Sequence, residues 1–393
     1  MDQAPTSFPV VGIVGGGQLA RMCQPPAVAL SLTLSVLARS EDDSAALVIP
    51  DSLVGEHDDL DAVRRLAARS DVVTFDHEHV PADVLAALAA DGIPLHPAPD
   101  ALRFAQDKVA MRRRLDDLGL PCPRWTVAAT TEDVISFGSD VGWPVIAKTP
   151  RGGYDGKGVR RIEGPEEVAD WLAAVGEPGP LVDGVLLEES VAFSRELAAL
   201  VARTPSGATA AWPLVETVQE GGICTEVLAP APDVAPDAAC AATDLAVRIA
   251  DALGVTGVLA VELFEVPGAT GDSTFLVNEL AMRPHNSGHW TIDGAETSQF
   301  EQHLRAVLDL PLGATASRAR WTVMANVLGG AHEALYPALT AVLAADPAVH
   351  VHLYGKQVRP GRKIGHVTVC GDDLDDLRAR ARRAAGTLRG AQP

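Results

Sequence analysis

Residues Lys148-Thr-Pro-Arg-Gly-Gly-Tyr-Asp-Gly-Lys-Gly158 decide how the rest of the chain is read. They follow an apolar run, Pro144-Val-Ile-Ala147, with the composition of a short buried strand that ends on a lysine. Four glycines and two charged residues then fall between Gly152 and Gly158. Glycine lets successive backbone N–H groups turn toward one point, and such a concavity holds anions. Gly153 lies inside this loop, and Lys157 adds a mobile positive charge to it. The same glycine content also fits an ordinary hairpin turn. The lysine census favours the anion cradle. Of 32 basic residues only five are lysine (Lys108, Lys148, Lys157, Lys356 and Lys363), and two of these bracket the loop. A compact ammonium suits a single phosphate oxygen, whereas arginine offers a planar fork.

With 393 residues, the chain has room for two or three domains. No apolar run reaches the length of a membrane span, and Met1 to Pro9 has no secretory pattern. The five cysteines are far apart, which points to a reducing cytoplasm and away from a zinc or disulfide frame. A net charge of −20 with 4% aromatics does not suit a nucleic-acid binder, which needs a basic footprint and stacking rings. An acidic chain can still hold anions where its few cations converge.

Upstream, Val10-Val-Gly-Ile-Val14 has the pattern of a buried strand, followed by Gly15-Gly-Gly-Gln-Leu-Ala20. Gly15, Gly17 and Ala20 fit the G-x-G-x-x-G/A turn of a βαβ unit, with Leu32 to Ala38 as the next parallel strand and Asp42 and Asp43 near a ribose-binding position. That turn serves a dinucleotide, another phosphorylated ligand, or none. Asp71 to Phe75 is a further strand, and it runs into Asp76-His77-Glu78-His79. This tetrad fits metal ligands, or a polar cluster at the carboxyl edge of a parallel sheet, where open α/β folds bind ligands. A helix over Pro81 to Ala90 and the Pro-broken stretch Ile93 to Pro99 close a first domain, residues 1–99.

Asp100 is expected to cap one helix carrying Phe104, Lys108, Met111 and Leu115. Beyond the loop come a strand over Val159 to Ile162, a helix over Glu166 to Val175, and a strand from Gly184 ending at Glu188-Glu189-Ser-Val191. A strand edge at Glu188 and Val191 suits an adenine, with Glu196 placed for a ribose, although acids at strand ends are common. Val258 to Glu265 and Phe275 to Leu280 read as a strand pair on which Glu262 and Glu279 sit toward facing positions. Two facing buried carboxylates repel unless a cation lies between them, and hard oxygen ligands select Mg²⁺. Two acids diverging to solvent is the other reading. His285 and His289 have the i, i+4 spacing of zinc ligands on a helix, but Pro284 and Gly288 argue for a loop presenting Arg283, His285 and Asn286 to an anion. A linker over Pro311 to Ala319 leads to three more strands and a terminal helix. Lys356, Arg359, Arg362 and Lys363 form a basic knot there, read as a phosphate or carboxylate contact or as a solvated hairpin tip.

Taken together, this order of elements resembles the α/β ATP-grasp superfamily. Four stretches resemble its N5-carboxyaminoimidazole ribonucleotide synthetase family: Gly15 to Met22, Arg151 to Gly158, Asn278-Glu-Leu-Ala-Met-Arg-Pro-His-Asn-Ser-Gly-His-Trp-Thr291 and Tyr354 to Lys363. The resemblance runs from about Val10 to about Val369. It implies a Rossmann-like N-terminal domain (1–99), an ATP-grasp domain (100–312, with a flap subdomain near 123–203) and a small β-rich C-terminal domain (313–393). It implies a ligase joining bicarbonate to the amine of 5-aminoimidazole ribonucleotide through carboxyphosphate, with ATP and Mg²⁺ or Mn²⁺, as a cytoplasmic homodimer.

The site residues follow from the same resemblance. Lys108, Lys148, Gly153, Lys157, Glu188, Val191, Glu196, Asn278 and Glu279 are expected on ATP, and Glu262 and Glu279 on the metal. Arg283, His285 and Lys356 are expected at the chemistry. Gln18, Leu19, Asp76, Glu78, Tyr154, Asp155, Asn286, Arg359, Arg362 and Lys363 are expected on the ribonucleotide. The chain departs from the family with Thr217 and Gln219 where an Asn and a His are frequent, with Ala20 in the glycine turn, with Met282 before the arginine, and with a longer loop over Pro267 to Ser273. The competing readings are another ATP-grasp ligase such as a formate-dependent glycinamide ribonucleotide transformylase, an NAD-binding oxidoreductase built on Gly15 to Ala20, and a non-catalytic nucleotide-binding regulator.

Overall fold

The structure, a computed structural model, describes residues 8–153, 157–268, 273–332 and 334–390. Three sheets organise these residues. The first is parallel, in the order β3-β2-β1-β4, from β1 (Val10–Val14), β2 (Thr33–Ala38), β3 (Asp51–Val54) and β4 (Val72–Phe75). Three of these match the apolar runs of the sequence. The short β3, half exposed, has no apolar signal and was not foreseen. The second sheet is antiparallel, in the order β5-β8-β6-β7, from β5 (Trp125–Ala128), β6 (Val145–Lys148), β7 (Val159–Ile162) and β8 (Val185–Glu189). Its strands β6 and β7 carry the glycine loop, whose base is fastened where Thr149 N donates to Gly158 O at 2.9 Å.

The third sheet is the largest. From its edge inward it runs β14 (Ser273–Ala281), β13 (Gly257–Pro267), β9 (Arg195–Arg203), β11 (Val215–Glu220) and β12 (Ile223–Ala229), with β10 (Thr209–Ala211) paired to one end of β9. The C-terminal strands β15 (Trp321–Leu328), β16 (His350–Leu353) and β17 (Lys363–Gly371) do not form a sheet of their own. They extend the same sheet through the pairing of β12 with β15. The basic knot before Lys363 is thereby held on the same framework as Glu262 and Glu279.

One core runs across the expected boundary at residue 99. Leu85, Leu88 and Leu95 pack with Leu102, Phe104 and Met111 and onward with Leu197, Val261 and Val277. The single helix expected from Asp100 is two. Pro99 occupies the first turn of Pro99–Gln106, with Ala98 as its cap, since proline's fixed φ suits that place. The chain then turns extended at Asp107, whose carboxylate caps Lys108–Asp117 by accepting from Ala110 N at 3.0 Å. That break fixes Lys108, because its N–H donates to Pro150 O at 2.9 Å and Asp107 bridges to Arg151. Glu166 to Val175 is likewise a 3₁₀ turn followed by a five-residue helix. No described helix is long and apolar enough to cross a membrane.

Candidate active site

The strand end at Lys148 builds the first half of the site. Lys148 Nζ lies 2.8 Å from Glu188 Oε2 and donates to Asn278 Oδ1 at 3.1 Å. The other Glu188 oxygen accepts from Arg112 Nε at 2.7 Å. Arg112, fully buried, spends its remaining donors on Val277 O (3.0 Å) and Asn278 O (2.7 Å). Burial alone would raise the Glu188 carboxyl, but Lys148 and Arg112 hold it at about 2. Both Glu188 oxygens are therefore committed to cations. Its side chain fixes Lys148 and is not free to meet a purine; only the backbone beyond it, toward Val191, remains for an adenine edge. Arg112 was not singled out from the sequence, where its one signal was standing one helical turn after Lys108.

Lys108 Nζ reaches Gly152 O at 3.4 Å and lies 3.8 Å from Glu279 Oε1. Gly153 has φ +80, and a Cβ there would overlap the Lys157 carbonyl, so the loop needs glycine at that point. Tyr154 and Asp155 lie outside the described residues.

Across β13 and β14, Glu262 and Glu279 are direct Cα partners, beside a register shift at Glu262/Leu263. The facing pair expected from the sequence is thus formed. Glu196, on β9, joins them. Burial, then Glu262 and Glu279, push its carboxyl up to about 7 against the pull of Lys148. The facing carboxylates of Glu262 and Glu279 bring hard oxygen atoms to one place, the kind of donor that fits a magnesium ion. Among the described residues no preformed group of three or more His, Cys, Asp or Glu is set to hold a metal. Phe193 stacks on Phe264 at 4.5 Å, in the segment joining β8 to β9 beyond Val191; sequence reading passed over this aromatic pair.

The run after β14 is a loop with one 3₁₀ turn, Asn286–Gly288. His285 Nε2 is 3.2 Å from Glu262 Oε1, and His285 Nδ1 is 2.9 Å from Ser287 Oγ. The Ser287 amide also donates to Nδ1, at 3.4 Å, so the ring's proton sits on Nε2. His289 turns away into the core, 1% exposed, and does not join His285 as a metal ligand. Arg283 Nε donates to Glu78 Oε2 at 2.7 Å. Burial opposes both charges, and their pairing keeps Glu78 low and Arg283 high. The amide nitrogen of Asn286 is buried with no partner among the described residues.

The first sheet supplies the opposite wall. Asp76 accepts from Gly17 N and Ala20 N, both at 2.8 Å, and so fills the helix N-terminus where a dinucleotide phosphate would sit. A Cβ on Gly17 would overlap that carboxylate. NADH is accordingly expected to leave tryptophan fluorescence unchanged at millimolar concentration; a saturable quench would restore the dinucleotide reading. The tetrad is also split. His77 packs with His57 and His79, and burial first, then these two rings, lower it to about 4, while Asp76 turns to the amides of Gly17 and Ala20 and Glu78 to Arg283. Leu19 is a core residue, 5% exposed among Val11, Ile13 and Val36, so its side chain is no substrate contact.

Gln18 Oε1 accepts from Lys356 Nζ. Burial, then Arg362, lower Lys356 to about 8, with Lys363 acting in the same direction and Asp76 and Asp43 in the other. The charge of Lys363 also bears on Glu262 and His289. Arg359 is exposed and bonds Gln357 Oε1 at 3.1 Å, while Arg362 lies 3.4 Å from Gln357 O. The basic knot is therefore divided: Lys356 reaches Gln18, Arg359 and Arg362 are tied to Gln357 at the hairpin tip, and Lys363 opens β17.

Residues 9–106 match the ribonucleotide synthetase preATP-grasp domain, 113–300 the ATP-grasp domain, and 322–380 the phosphoribosylaminoimidazole carboxylase C-terminal domain. The N5-carboxyaminoimidazole ribonucleotide synthase of Mycobacterium bovis is 52% identical over 395 aligned residues, covering 98% of this chain and 89% of the relative. That of Corynebacterium ammoniagenes is 47% identical, covering 97% and 92%. The crystal structure of the Aspergillus clavatus N5-carboxyaminoimidazole synthase, in complex with ADP and 5-aminoimidazole ribonucleotide, superimposes with a TM-score of 0.85 at 31% identity, over 97% of this chain and 98% of that one. With three successive domain matches and near full-length identity of this order, the chain belongs to the N5-carboxyaminoimidazole ribonucleotide synthase family and carries its ATP-grasp fold.

Proposed function

We propose that this chain is the ATP-dependent ligase that carboxylates 5-aminoimidazole ribonucleotide with bicarbonate, giving N5-carboxyaminoimidazole ribonucleotide, ADP and phosphate in purine biosynthesis. The observation that carries this reading is the Glu262–Glu279 pair, flanked by Lys148 and Asn278 on one side and by His285 on the other. The same reading includes magnesium, a homodimer, a cytoplasmic location and working boundaries near residues 99 and 312.

Lys108 and Lys148 meet ATP phosphate oxygens, with Lys148 aimed by Glu188 and Arg112, and the loop with Gly153 and Lys157 closes over them. Glu196 takes the ribose hydroxyls, and the segment at Val191 takes the adenine edge. Glu262 and Glu279, with Asn278 beside them, would hold the magnesium, which when bound would supply neutralising charge for the phosphates. A bicarbonate oxygen attacks the γ-phosphorus as the bond to ADP breaks, forming carboxyphosphate. The ribonucleotide amine then attacks its carboxyl carbon, the C–O bond to phosphate breaks, and the amine gives up a proton. Arg283, fixed by Glu78, holds the bicarbonate and the transferring phosphoryl group. His285 presents its Nε2 proton to Glu262, or to an anion that takes the place of that carboxylate. Asn286, Lys356 and Lys363, with Gln18, Asp76, Tyr154 and Asp155, hold the ribonucleotide. Arg359 and Arg362 flank its 5′-phosphate.

A chemical test follows carbon. With ¹³C-bicarbonate, ATP and Mg²⁺, the label should appear on the ribonucleotide amine as a carbamate; label on any other acceptor, or none, would reject the assignment. A pH test concerns Lys356. An ammonium near 8 loses its charge above that pH, so KM for the ribonucleotide should climb from pH 8 to 9 while KM for ATP stays level. Lys356→Arg should flatten the climb; an equal rise in both KM values would remove Lys356 from the substrate side.

A further inference from the structure

One fully buried side chain outside the proposed chemistry holds the His285 loop by three hydrogen bonds. Gln299 begins the helix Gln299–Val307 and is 0% exposed. Its Oε1 accepts from His285 N at 2.8 Å. Its Nε2 donates to His285 O at 2.8 Å and pairs with His289 Nδ1 at 3.0 Å. The Gln299 backbone N–H donates to Thr291 Oγ1 at 2.8 Å, and that hydroxyl donates to Gly288 O at 2.6 Å. Both backbone groups of His285 are thus gripped by one amide, and the far end of the loop is held by the same residue. The packing leaves no slack, since a Cβ on Gly288 would overlap the Gln299 carbonyl oxygen.

His289 and the His285 backbone together set which way round that amide sits. Burial first, then His285, Lys363, His352 and Arg283, hold the His289 imidazole neutral. A neutral ring with Nδ1 toward an amide N–H accepts there. An amide turned the other way would set its oxygen against the His289 lone pair and two N–H groups together at His285 N. The grip also reaches the C-terminal strands. His289 packs 5.0 Å from His366, whose Nδ1 is 2.7 Å from Tyr354 Oη, and Tyr354 stands two residues before Lys356.

We propose that Gln299, oriented by His289, is the positioning residue that fixes His285 against Glu262 and sets its distance from Lys356. The inference rests on the role given to His285 above. A buried amide with every bond used carries direction as well as stability, and an error of about 1 Å in such a group costs on the order of 100-fold in rate. Gln299→Leu, similar in volume but without the bonds, should lower kcat about 100-fold while KM for ATP stays within twofold. The His285 imidazole, followed by NMR of ¹³C-labelled histidine, should change from a single Nε2–H tautomer to a mixture. A merely structural role would lower thermal stability and leave tautomer and kcat of the folded fraction unchanged, which would overturn the proposal.

Should Gln299→Leu fail to fold, the His289 pair decides. Asparagine places an oxygen where Nδ1 stands, so His289→Asn should recover at least tenfold of the kcat lost in His289→Leu. Equal activity of the two would overturn the orienting role. If His285→Ala itself retains full carboxylation, the reading of His285 has failed; if His285→Ala is inactive and Gln299→Leu is fully active, only the present inference has.

Discussion

Glu279→Gln is expected to abolish turnover, with kcat at least about 10³-fold lower, equivalent to about 4 kcal/mol. The substitution keeps the volume and one oxygen but removes the charge that pairs with Lys108 and faces Glu262. Folding should not suffer. Glu262 and Glu279 repel, and both help to push Glu196 up to about 7, so removing one charge relieves strain that the site carries for function. The variant should melt at or above the wild-type temperature in the absence of ligands. The pH dependence gives a second readout. Glu196 has a folded pKa near 7, above the 4.5 of an ordinary glutamate, so the native state binds the extra proton and stability falls as pH rises from about 4.5 to about 7. In Glu279→Gln that fall should be smaller. A variant that is both inactive and clearly less stable would point to a structural role for Glu279.

Arg112→Ala is expected to cost about 3–5 kcal/mol of stability and to eliminate ATP binding. Arg112 and Glu188 are both buried, and the guanidinium also satisfies the carbonyls of Val277 and Asn278. Removing it strands one buried charge and two acceptors, and frees Lys148 from its guide. Because Glu188 sits near 2 when folded and at the ordinary glutamate value of 4.5 when unfolded, its contribution is complete above pH 4.5 and disappears as pH falls toward 2. The stability difference between wild type and Arg112→Ala should therefore shrink in acid. Urea unfolding followed by tryptophan fluorescence measures it; equal midpoints at neutral pH would contradict the buried triad. Replacing Arg112, Lys148 and Glu188 together by methionine should restore much of the stability and none of the ATP binding, since buried ion groups exchange for apolar ones at little net cost.

How far the sequence revealed this site depended on where each signal came from. Glu262 and Glu279 were legible because strand alternation and a short connection bring facing residues together. Lys148 was legible as a rare lysine closing an apolar strand. Arg112 was not, because arginine is common in this chain and its burial depends on Glu188, 76 residues away. The Gly15 turn left a dinucleotide, another phosphorylated ligand or none open; what fills the helix N-terminus is Asp76, a partner that spacing does not announce. The Leu19 side chain packs into the core, a direction that a motif position does not announce. The helix break at Asp107 and the capture of β15 by β12 are decided by tertiary bonds, to Pro150 and across the large sheet, which local propensity does not carry.

The most direct measurement of the central claim is ADP release with ATP, Mg²⁺ and bicarbonate, titrated with 5-aminoimidazole ribonucleotide. ADP should be released at one equivalent per carbamate formed, with a rate that saturates in the ribonucleotide and vanishes in Glu279→Gln. ADP release that is indifferent to the ribonucleotide, or that proceeds with no carbamate formed, would contradict it.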